Sequence, residues 1–240
     1  MSKLGTPPLA PKVVAALAEL GIFRLPELCA FNPCRAFLLL KQMGLSVTQS
    51  VFWQLVALCE DCLPHELPAE QRASWQEKLQ NFPPVAIFPP ETEMVYFMQL
   101  ALAQAEQAAQ RGEIPVGAIL VENGKILSMA HNCCVVNHSV CQHAEMQVIE
   151  QAGQILQNYR LQDCDLYVTL EPCAMCAGAI VQARIRRVIF AAHEPKMGAA
   201  GSVLNIFANK KLNSHTAVHS GVLADESRAI LQRFFAARRR

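Results

Sequence analysis

Residues 165–176 read Asp-Leu-Tyr-Val-Thr-Leu-Glu-Pro-Cys-Ala-Met-Cys, and this stretch decides the fold of the C-terminal half of the chain. Its first six residues are mostly apolar and favour β structure, which predicts a buried strand. The Glu171-Pro172 pair then turns the chain into a helix that carries Cys173 and Cys176 in its first turn. Because residues i and i+3 share one helical face, both thiols can reach a single metal ion.

A histidine and a glutamate precede this stretch as His143-Ala144-Glu145. The three candidate ligands His143, Cys173 and Cys176 would leave one position of a zinc ion open, as catalytic zinc sites do. Zinc held in this way lowers the pKa of water, and Glu145 is then the expected proton carrier. The alternatives are a structural zinc site, or two unrelated cysteines with a stray histidine.

Composition is typical of an intracellular enzyme. The chain has 240 residues and is 52% hydrophobic, which is enough for one ordinary core and a small second one. Its net charge is +1. Its ten cysteines show no framework spacing and no signal peptide precedes them, so we expect reduced cysteines and a cytoplasmic location. No apolar run approaches about 18 residues, so we expect no membrane span.

Two diprolines, Pro83-Pro84 and Pro89-Pro90, interrupt the chain. Because neither can continue a helix, residues 82–90 are predicted to form an extended linker between a domain of residues 1–81 and a domain of residues 91–240.

The segment before the linker is predicted to be all-helical. Apolar residues recur at helical spacing from about residue 8 to residue 80, with Gly21 and Gly44 at helix ends and a longer helix over residues 46–62. This pattern resembles the C-terminal domain of TfoX-type competence regulators, a helix-hairpin-helix-like module. The resemblance implies nucleic-acid contact, yet the segment has no dense basic face, and a docking or stabilising domain fits equally well.

The pair Cys59 and Cys62, with His65 nearby, is a candidate second metal or redox site. No second cysteine pair accompanies it, so packing of both cysteines as small apolar side chains is favoured.

After the linker, helices and strands alternate. Thr92 is the expected cap of a helix that ends near Arg111, and Asn123-Gly124 between apolar runs predicts a hairpin. The predicted strands cover residues 114–121, 125–129, 165–170 and 187–191, with helices after the second and third. This order predicts a mixed sheet between helices, with the zinc ligands at the first turns of two neighbouring helices.

Residues 91–240 resemble the bacterial tRNA-specific adenosine deaminase family, of the TadA type. The segments that carry the resemblance are residues 113–118, 157–161, 166–173, 198–202 and 221–226. In addition, the order H-x-E…P-C-x-x-C is the signature of zinc nucleobase deaminases. The resemblance implies a three-layer α/β/α cytidine deaminase-like fold with a mixed five-stranded sheet, one Zn²⁺ per subunit and a homodimer. It also implies hydrolysis of an amidine C–N bond, converting adenosine to inosine at wobble position 34 of tRNA-Arg(ACG).

The same resemblance implies a role for particular residues. His143, Cys173 and Cys176 match the zinc ligands, and Glu145 matches the catalytic proton shuttle. Asn132 matches an asparagine that contacts the flipped base, although a turn residue is the alternative. The remaining implied contacts are the backbone of Val116, Gly117 and Ala118 in the base pocket, and Glu194, Lys196, Phe235, Arg238 and Arg239 with the RNA. The arginine-rich end could instead be a solvated tail.

Two segments depart from the family pattern. Ser139-Val140-Cys141-Gln142 replaces the usual Asp-Pro-Thr-Ala before the histidine, and His193 replaces an arginine in the usual Arg-Asp-x-Lys. Glu171 could orient the cysteine helix or only satisfy backbone donors at the start of that helix. Two other functions remain open: a deaminase of free bases or nucleosides, and a nucleic-acid-binding regulator with a vestigial zinc domain, against which the intact Glu145 argues.

Overall fold

The structure of the protein is a computed structural model that describes residues 4–238. The chain divides into two units, Met1–Ile87 and Phe88–Arg240. Residues 82–90 form neither helix nor strand. Within the described residues, no helix combines the length and the apolar character needed to cross a bilayer.

The N-terminal unit is helical. Its helices are α1 (Pro11–Glu19), α2 (Leu25–Phe31), α3 (Pro33–Gln42), α4 (Gln49–Cys59) and α5 (Ala69–Asn81). The core is formed by buried leucines from successive helices and by Phe37 and Phe52, whose ring centroids lie 5.2 Å apart. Helix α4 is shorter than the predicted helix over residues 46–62, because the chain before Gln49 is extended, with Thr48 at the N-cap position.

A disulfide in this unit corrects one sequence prediction. Cys29 of α2 and Cys59 of α4 are bonded, with Cα atoms 5.4 Å apart and a sequence separation of 30. The expectation that all cysteines are reduced is therefore wrong for this pair. The packing of α2 against α4 brings the two thiols together, and the spacing of cysteines in a sequence does not report such packing.

The C-terminal unit contains a five-stranded mixed sheet, as expected. Its elements are α6 (Glu91–Gln110), β1 (Gly117–Glu122), β2 (Lys125–His131), α7 (Ala144–Leu156), β3 (Cys164–Leu170), α8 (Ala174–Ala183), β4 (Arg187–Ala192), β5 (Ala217–Ser220) and α9 (Ala224–Arg238). The strand order is β2-β1-β3-β4-β5. Strand β1 is antiparallel to both β2 and β3, whereas β3, β4 and β5 are parallel.

The two faces of the sheet pack against different helices, which gives three layers. On β1, Ala118 and Leu120 face the core that contains Val148 of α7 and Ile180 of α8. Ile119 and Val121 face the opposite core, built with α6 and α9. Because successive strand residues point to opposite faces, each strand serves both cores and its sequence is almost continuously apolar.

Sheet topology explains where α7 and α8 begin. Strand β1 is antiparallel to both of its neighbours, so β2 and β3 run in the same direction. Their carboxyl ends therefore lie at the same edge of the sheet. Helix α7 follows β2 and α8 follows β3, and both helices start at that edge.

The hairpin turn is as predicted, whereas the start of β1 and the cap of α6 differ from the predictions. The Asn123-Gly124 turn joins paired strands, with φ of 49° and 76° at these residues, as a two-residue hairpin requires. Strand β1 begins at Gly117, later than predicted. Thr92 is not the cap of α6: the helix starts at Glu91, and Pro90 occupies the N-cap position.

Candidate active site

Three metal-ligating side chains meet at the edge where α7 and α8 begin. His143 is the N-cap residue of α7, Cys173 is the N-cap residue of α8, and Cys176 lies in the first turn of α8. His143 Nδ1 lies 3.7 Å from Cys173 Sγ and 3.4 Å from Cys176 Sγ. The three ligand atoms lie within 4.8 Å of one another, and they form the sole group of this kind among residues 4–238.

These distances fit a tetrahedral zinc ion. With Zn–S of about 2.3 Å and Zn–N of about 2.0–2.1 Å, a tetrahedral angle separates nitrogen from sulfur by about 3.6 Å. The two observed nitrogen–sulfur distances, 3.4 and 3.7 Å, bracket that value. One imidazole and two thiols also form a donor set that zinc prefers.

The pKa values of the Cys173 and Cys176 thiols depend on each other. The pKa of Cys173 falls to about 3, because the Cys176 thiol and His143 both hydrogen-bond to its thiolate. The pKa of Cys176 is raised, since it donates to that thiolate and is buried. The pKa of His143 is raised by its hydrogen bond to Cys173. Zinc binding requires both thiols to be deprotonated, so it releases the proton that the two thiols share.

Glu145 lies in the first turn of α7, two residues after the histidine, and only 3% of it is exposed. Burial raises the pKa of its carboxyl group above the usual range. A carboxyl group with a raised pKa exchanges protons closer to neutral pH, as a general acid–base group must. Its position and its environment both suit a proton carrier.

Asn132 connects the end of β2 to the start of α7. It is buried, and its Oδ1 accepts a hydrogen bond of 2.9 Å from Ala144 N. Its own backbone N–H donates to Val116 O at 3.0 Å. Asn132 therefore caps the helix that carries Glu145 and lies beside the predicted base-pocket backbone of residues 116–118.

Residues 116–118 are buried at the start of β1. Gly117 N donates to Thr169 Oγ1 at 3.1 Å, which connects β1 to the end of β3. A Cβ atom at Gly117 would lie 2.1 Å from Ala101 O, so only glycine fits against α6. The structure thus places these residues at the same sheet edge as the metal-ligating group.

Two buried carboxylates accept hydrogen bonds from backbone amides of the surrounding loops, and these partners are not predictable from the sequence. Glu113 accepts hydrogen bonds from Val135 N and Val136 N, at 3.0 and 2.8 Å. Glu171 accepts backbone hydrogen bonds from residues 194, 200 and 202. Sequence patterns do not reveal these roles, because the partners are backbone amides of distant loops. The backbone donors of Glu171 lie in the loop after β4, and not at the start of the cysteine helix as one of the two expectations for this residue had it.

The divergent segment 139–142 leads directly into His143. The Gln142 carbonyl accepts hydrogen bonds from Cys133 N and from the Gln147 side chain, at 3.0 and 3.2 Å. Val140 is 79% exposed. The backbone of the segment is thereby fixed, whereas its central side chain faces solvent.

Glu194 and Lys196 lie on the loop after β4, and Glu194 Oε1 accepts a 2.9 Å hydrogen bond from Lys196 N. Lys196 is exposed. This loop reaches the ligand segment through Ala199 N, which donates to Pro172 O at 2.8 Å. These two predicted RNA contacts therefore belong to a loop that adjoins the metal-ligating group.

The other predicted RNA contacts belong to the C-terminal end of the chain and not to this loop. Helix α9 packs in the layer of α6, on the sheet face opposite α7 and α8. Phe235 is 41% exposed, whereas Arg238 stacks on Phe234 at 4.6 Å and donates to the Gly112 carbonyl. Arg239 lies outside the described residues.

The candidate second metal site is not assembled. Cys59 is bonded to Cys29, and Cys62 is a half-buried free thiol. Cys62 packs against the N-terminal core, as favoured from the sequence, whereas Cys59 packs there as part of the disulfide.

Comparisons with known proteins show which proteins the C-terminal unit resembles. A family model described as MafB19-like deaminase matches residues 93–239. The tRNA-specific adenosine deaminase of Bacillus subtilis (strain 168) is 42% identical over 144 residues, covering 60% of this chain and 89% of the relative. A solved structure from a study of A-to-I editing by tRNA wobble deaminases is 43% identical, with a TM-score of 0.55, covering 57% of this chain and 99% of that one.

A guanine deaminase from Nitrosomonas europaea shares the fold, with 24% identity, a TM-score of 0.51 and coverage of 73% of this chain and 97% of that one. The family model spans more than half of the present chain and includes all three metal-ligating residues and Glu145. The chain therefore belongs to the MafB19-like deaminase family and is a hydrolytic deaminase.

Proposed function

We propose that this protein converts adenosine to inosine at wobble position 34 of tRNA-Arg(ACG), with one zinc ion held by His143, Cys173 and Cys176. The observation that carries the proposal is the meeting of these three ligands beside the buried Glu145 carboxyl. The 42% identity to a tRNA-specific adenosine deaminase supports the choice of substrate. Zinc in such a site supplies an activated water near neutral pH.

Glu145 performs the proton transfers of the reaction. Water adds to the ring carbon that carries the amino group, the C–N bond breaks, and ammonia leaves. Glu145 takes one proton from the attacking water and delivers it to the ring nitrogen, and then takes the remaining hydroxyl proton of the adduct and delivers it to the leaving amine. Burial excludes solvent from the carboxyl group and raises its pKa, so that it can hold the proton between these steps.

An adenosine in an anticodon loop suits this site. Loop bases are already partly unstacked, and extrusion of such a base costs less than extrusion from a duplex. Asn132 and the backbone of residues 116–118 would contact the extruded base. Glu194, Lys196, Phe235, Arg238 and Arg239 would contact the surrounding RNA.

The test is inosine formation in an anticodon stem-loop that carries adenosine at position 34. Glu145→Gln preserves side-chain volume, so we expect zinc content to remain unchanged and the rate to fall by at least about 100-fold. Glu150→Gln, an exposed position on the same helix, is the matched control and should retain the wild-type rate. A Glu145→Gln variant with a near-wild-type rate would exclude the assigned proton carrier.

Substrate controls separate the RNA substrate from free bases. We expect turnover of the stem-loop, and none when guanosine replaces adenosine at position 34. Turnover of free guanine or cytosine, without turnover of the stem-loop, would instead assign the protein to nucleobase metabolism.

The proposal also covers assembly and organisation. The family resemblance supports a cytoplasmic homodimer, and light scattering should then give twice the chain mass of 26.5 kDa. We assign residues 1–81 to a TfoX-like helical domain, residues 82–90 to a linker and residues 91–240 to the deaminase domain. Nucleic-acid binding by the helical domain would appear as a loss of stem-loop affinity on its removal.

A further inference from the structure

The side chain of Glu171 is fully buried directly before the Pro172-Cys173 ligand segment. Its Oε1 accepts hydrogen bonds from Ala200 N and Ser202 N, at 2.9 and 3.0 Å. Its Oε2 accepts one from Glu194 N at 3.1 Å and another from the Ser202 hydroxyl. Both carboxylate oxygens are thus occupied by donors from residues 193–202, which we call the 193–202 loop.

This loop is also fixed to the metal-ligating segment itself. Ala199 N donates to Pro172 O at 2.8 Å, and Gly198 forms an isolated antiparallel bridge with Cys173. A Cβ atom at Gly198 would lie 2.5 Å from Glu171 Cδ and 2.5 Å from Glu194 O. The loop backbone therefore packs directly on the carboxylate, and its position depends on that contact.

We propose that Glu171 is a positioning residue that fixes the 193–202 loop beside the metal site, so that the loop presents Glu194 and Lys196 to the RNA substrate. The inference rests on the proposed function for the identity of the substrate. The ordering of the loop by the carboxylate does not depend on it.

The charge of Glu171 is suited to this role. A carboxylate accepts several backbone N–H groups at once, and such charge-assisted bonds are stronger than bonds to a neutral acceptor. These bonds hold the pKa of Glu171 below its usual range, although burial opposes that shift. In Glu171→Gln one oxygen becomes an N–H donor facing other donors, so backbone contacts with the loop are lost while side-chain size is kept.

Steady-state kinetics on the stem-loop test the role in substrate binding. We expect Glu171→Gln to raise KM at least tenfold, with kcat changed less than threefold and zinc content unchanged. Asp165→Asn is the matched control, because Asp165 is a buried acid at the opposite end of β3 that pairs with Arg186 and Arg187. It should lower stability without raising KM.

Hydrogen exchange tests the ordering of the loop without any substrate. We expect amides 194, 200 and 202 to exchange at least tenfold faster in Glu171→Gln, with the core of the unit unchanged. Unchanged loop exchange would overturn the proposal, as would faster exchange with an unchanged KM. Loss of zinc would also overturn it, because the residue would then act through the metal site.

Two substitutions within the 193–202 loop test the same contact if Glu171→Gln does not fold. Gly198→Ala disrupts the same contact from the loop and should reproduce the rise in KM, whereas Gly178→Ala, with open space around the added methyl group, should not. Ser202→Ala removes only the hydroxyl donor and should cause a smaller change in the same direction. If wild-type protein fails to act on the stem-loop, the proposed function fails, while the exchange measurement still decides whether Glu171 orders the loop.

Discussion

At the scale of single residues, Asn132 combines two possible roles that two substitutions can separate. Its Oδ1 accepts a hydrogen bond from Ala144 N in the first turn of α7, and its Nδ2 is the remaining side-chain group with which it would contact a base. Asn132→Ala should lower stability by about 1 kcal/mol through loss of the cap. Asn132→Asp keeps the acceptor, and the positive end of the helix dipole favours its charge, so stability should change little.

Activity of Asn132→Asp then reports on base contact. Loss of one hydrogen bond to the substrate, about 1.4 kcal/mol, should lower kcat/KM on the stem-loop about tenfold. The measurement compares thermal unfolding with stem-loop kinetics for both variants. A fully active Asn132→Asp variant would show that Asn132 serves only as a helix cap.

Gly117 shows how tightly β1 packs on α6. An added methyl group would lie 2.1 Å from Ala101 O and 2.6 Å from Ala105 N, both backbone atoms that a side-chain rotation cannot move. We expect Gly117→Ala to destabilise the protein by about 1–3 kcal/mol, measured by denaturant unfolding. In Gly153→Ala the nearest atom lies at 3.6 Å, so this control should be at least as stable as wild type. Equal stability of the two variants would contradict the tight packing at Gly117.

The residues of the site differ in how visible they are in the sequence. His143, Glu145, Cys173 and Cys176 form a recognisable pattern because metal geometry fixes their spacing on two helix starts. Glu171 has no such signature. Its partners are backbone amides 23 to 31 residues away, and any sequence can supply a backbone amide. Sequence reasoning therefore predicts the candidate metal ligands, but it does not identify the loop that Glu171 contacts.

At the scale of elements, predictability follows the length and regularity of the pattern. The hairpin was predictable because Asn123-Gly124 selects its turn, and β3 because its apolar run is uninterrupted. Strand β5 is not predictable from the sequence, because its four residues, Ala-Val-His-Ser, carry no strong strand signal and pair only with β4. The cap of α6 was misassigned to Thr92, because Pro90 and the acidic first turn start the helix one residue earlier.

The arginines at the end of α9 yield an element-scale prediction about RNA affinity. Arg238 is engaged with Phe234 and Gly112, so phosphate contact should depend chiefly on Arg239 and Arg240. Ending the chain at Arg238 should weaken stem-loop binding at low salt. It should also reduce the slope of log K against log salt by about 1.4, at about 0.7 per phosphate contact.

The control for this truncation is Arg228→Gln, because Arg228 pairs with Asp225 at the start of the same helix. That variant removes one positive charge and should leave the salt slope unchanged. Identical slopes for wild type and the truncated chain would indicate that the terminal arginines form a solvated tail.

At the scale of the whole molecule, composition alone cannot distinguish the two units. Both units contain apolar cores, and the sequence signal for a boundary is the pair of diprolines. The Cys29–Cys59 bond lies within the N-terminal unit and depends on how α2 packs against α4. Long-range packing of this kind requires coordinates, because cysteine spacing carries no information about it.

The C-terminal unit contains every residue proposed to bind zinc or to transfer protons, which leads to a prediction for the separated unit. Residues 88–240 include both cores on the two faces of the sheet, all three metal-ligating residues and Glu145. A protein of residues 88–240 should fold cooperatively and bind one zinc ion per chain. Its kcat on the stem-loop should stay within about threefold of the full chain, a difference of about 0.7 kcal/mol.

Binding measurements on this protein then assign the role of the N-terminal unit. If residues 1–87 contact nucleic acid, the stem-loop Kd should rise on their removal while kcat is retained; an unchanged Kd would indicate a stabilising or docking role. The control is the corresponding truncation with Glu145→Gln, which should bind the stem-loop equally well without forming inosine. Because the ligands and the proton carrier all come from residues 143–176, a folded and zinc-loaded protein of residues 88–240 that lacked all activity would contradict the assignment of catalysis to this unit alone.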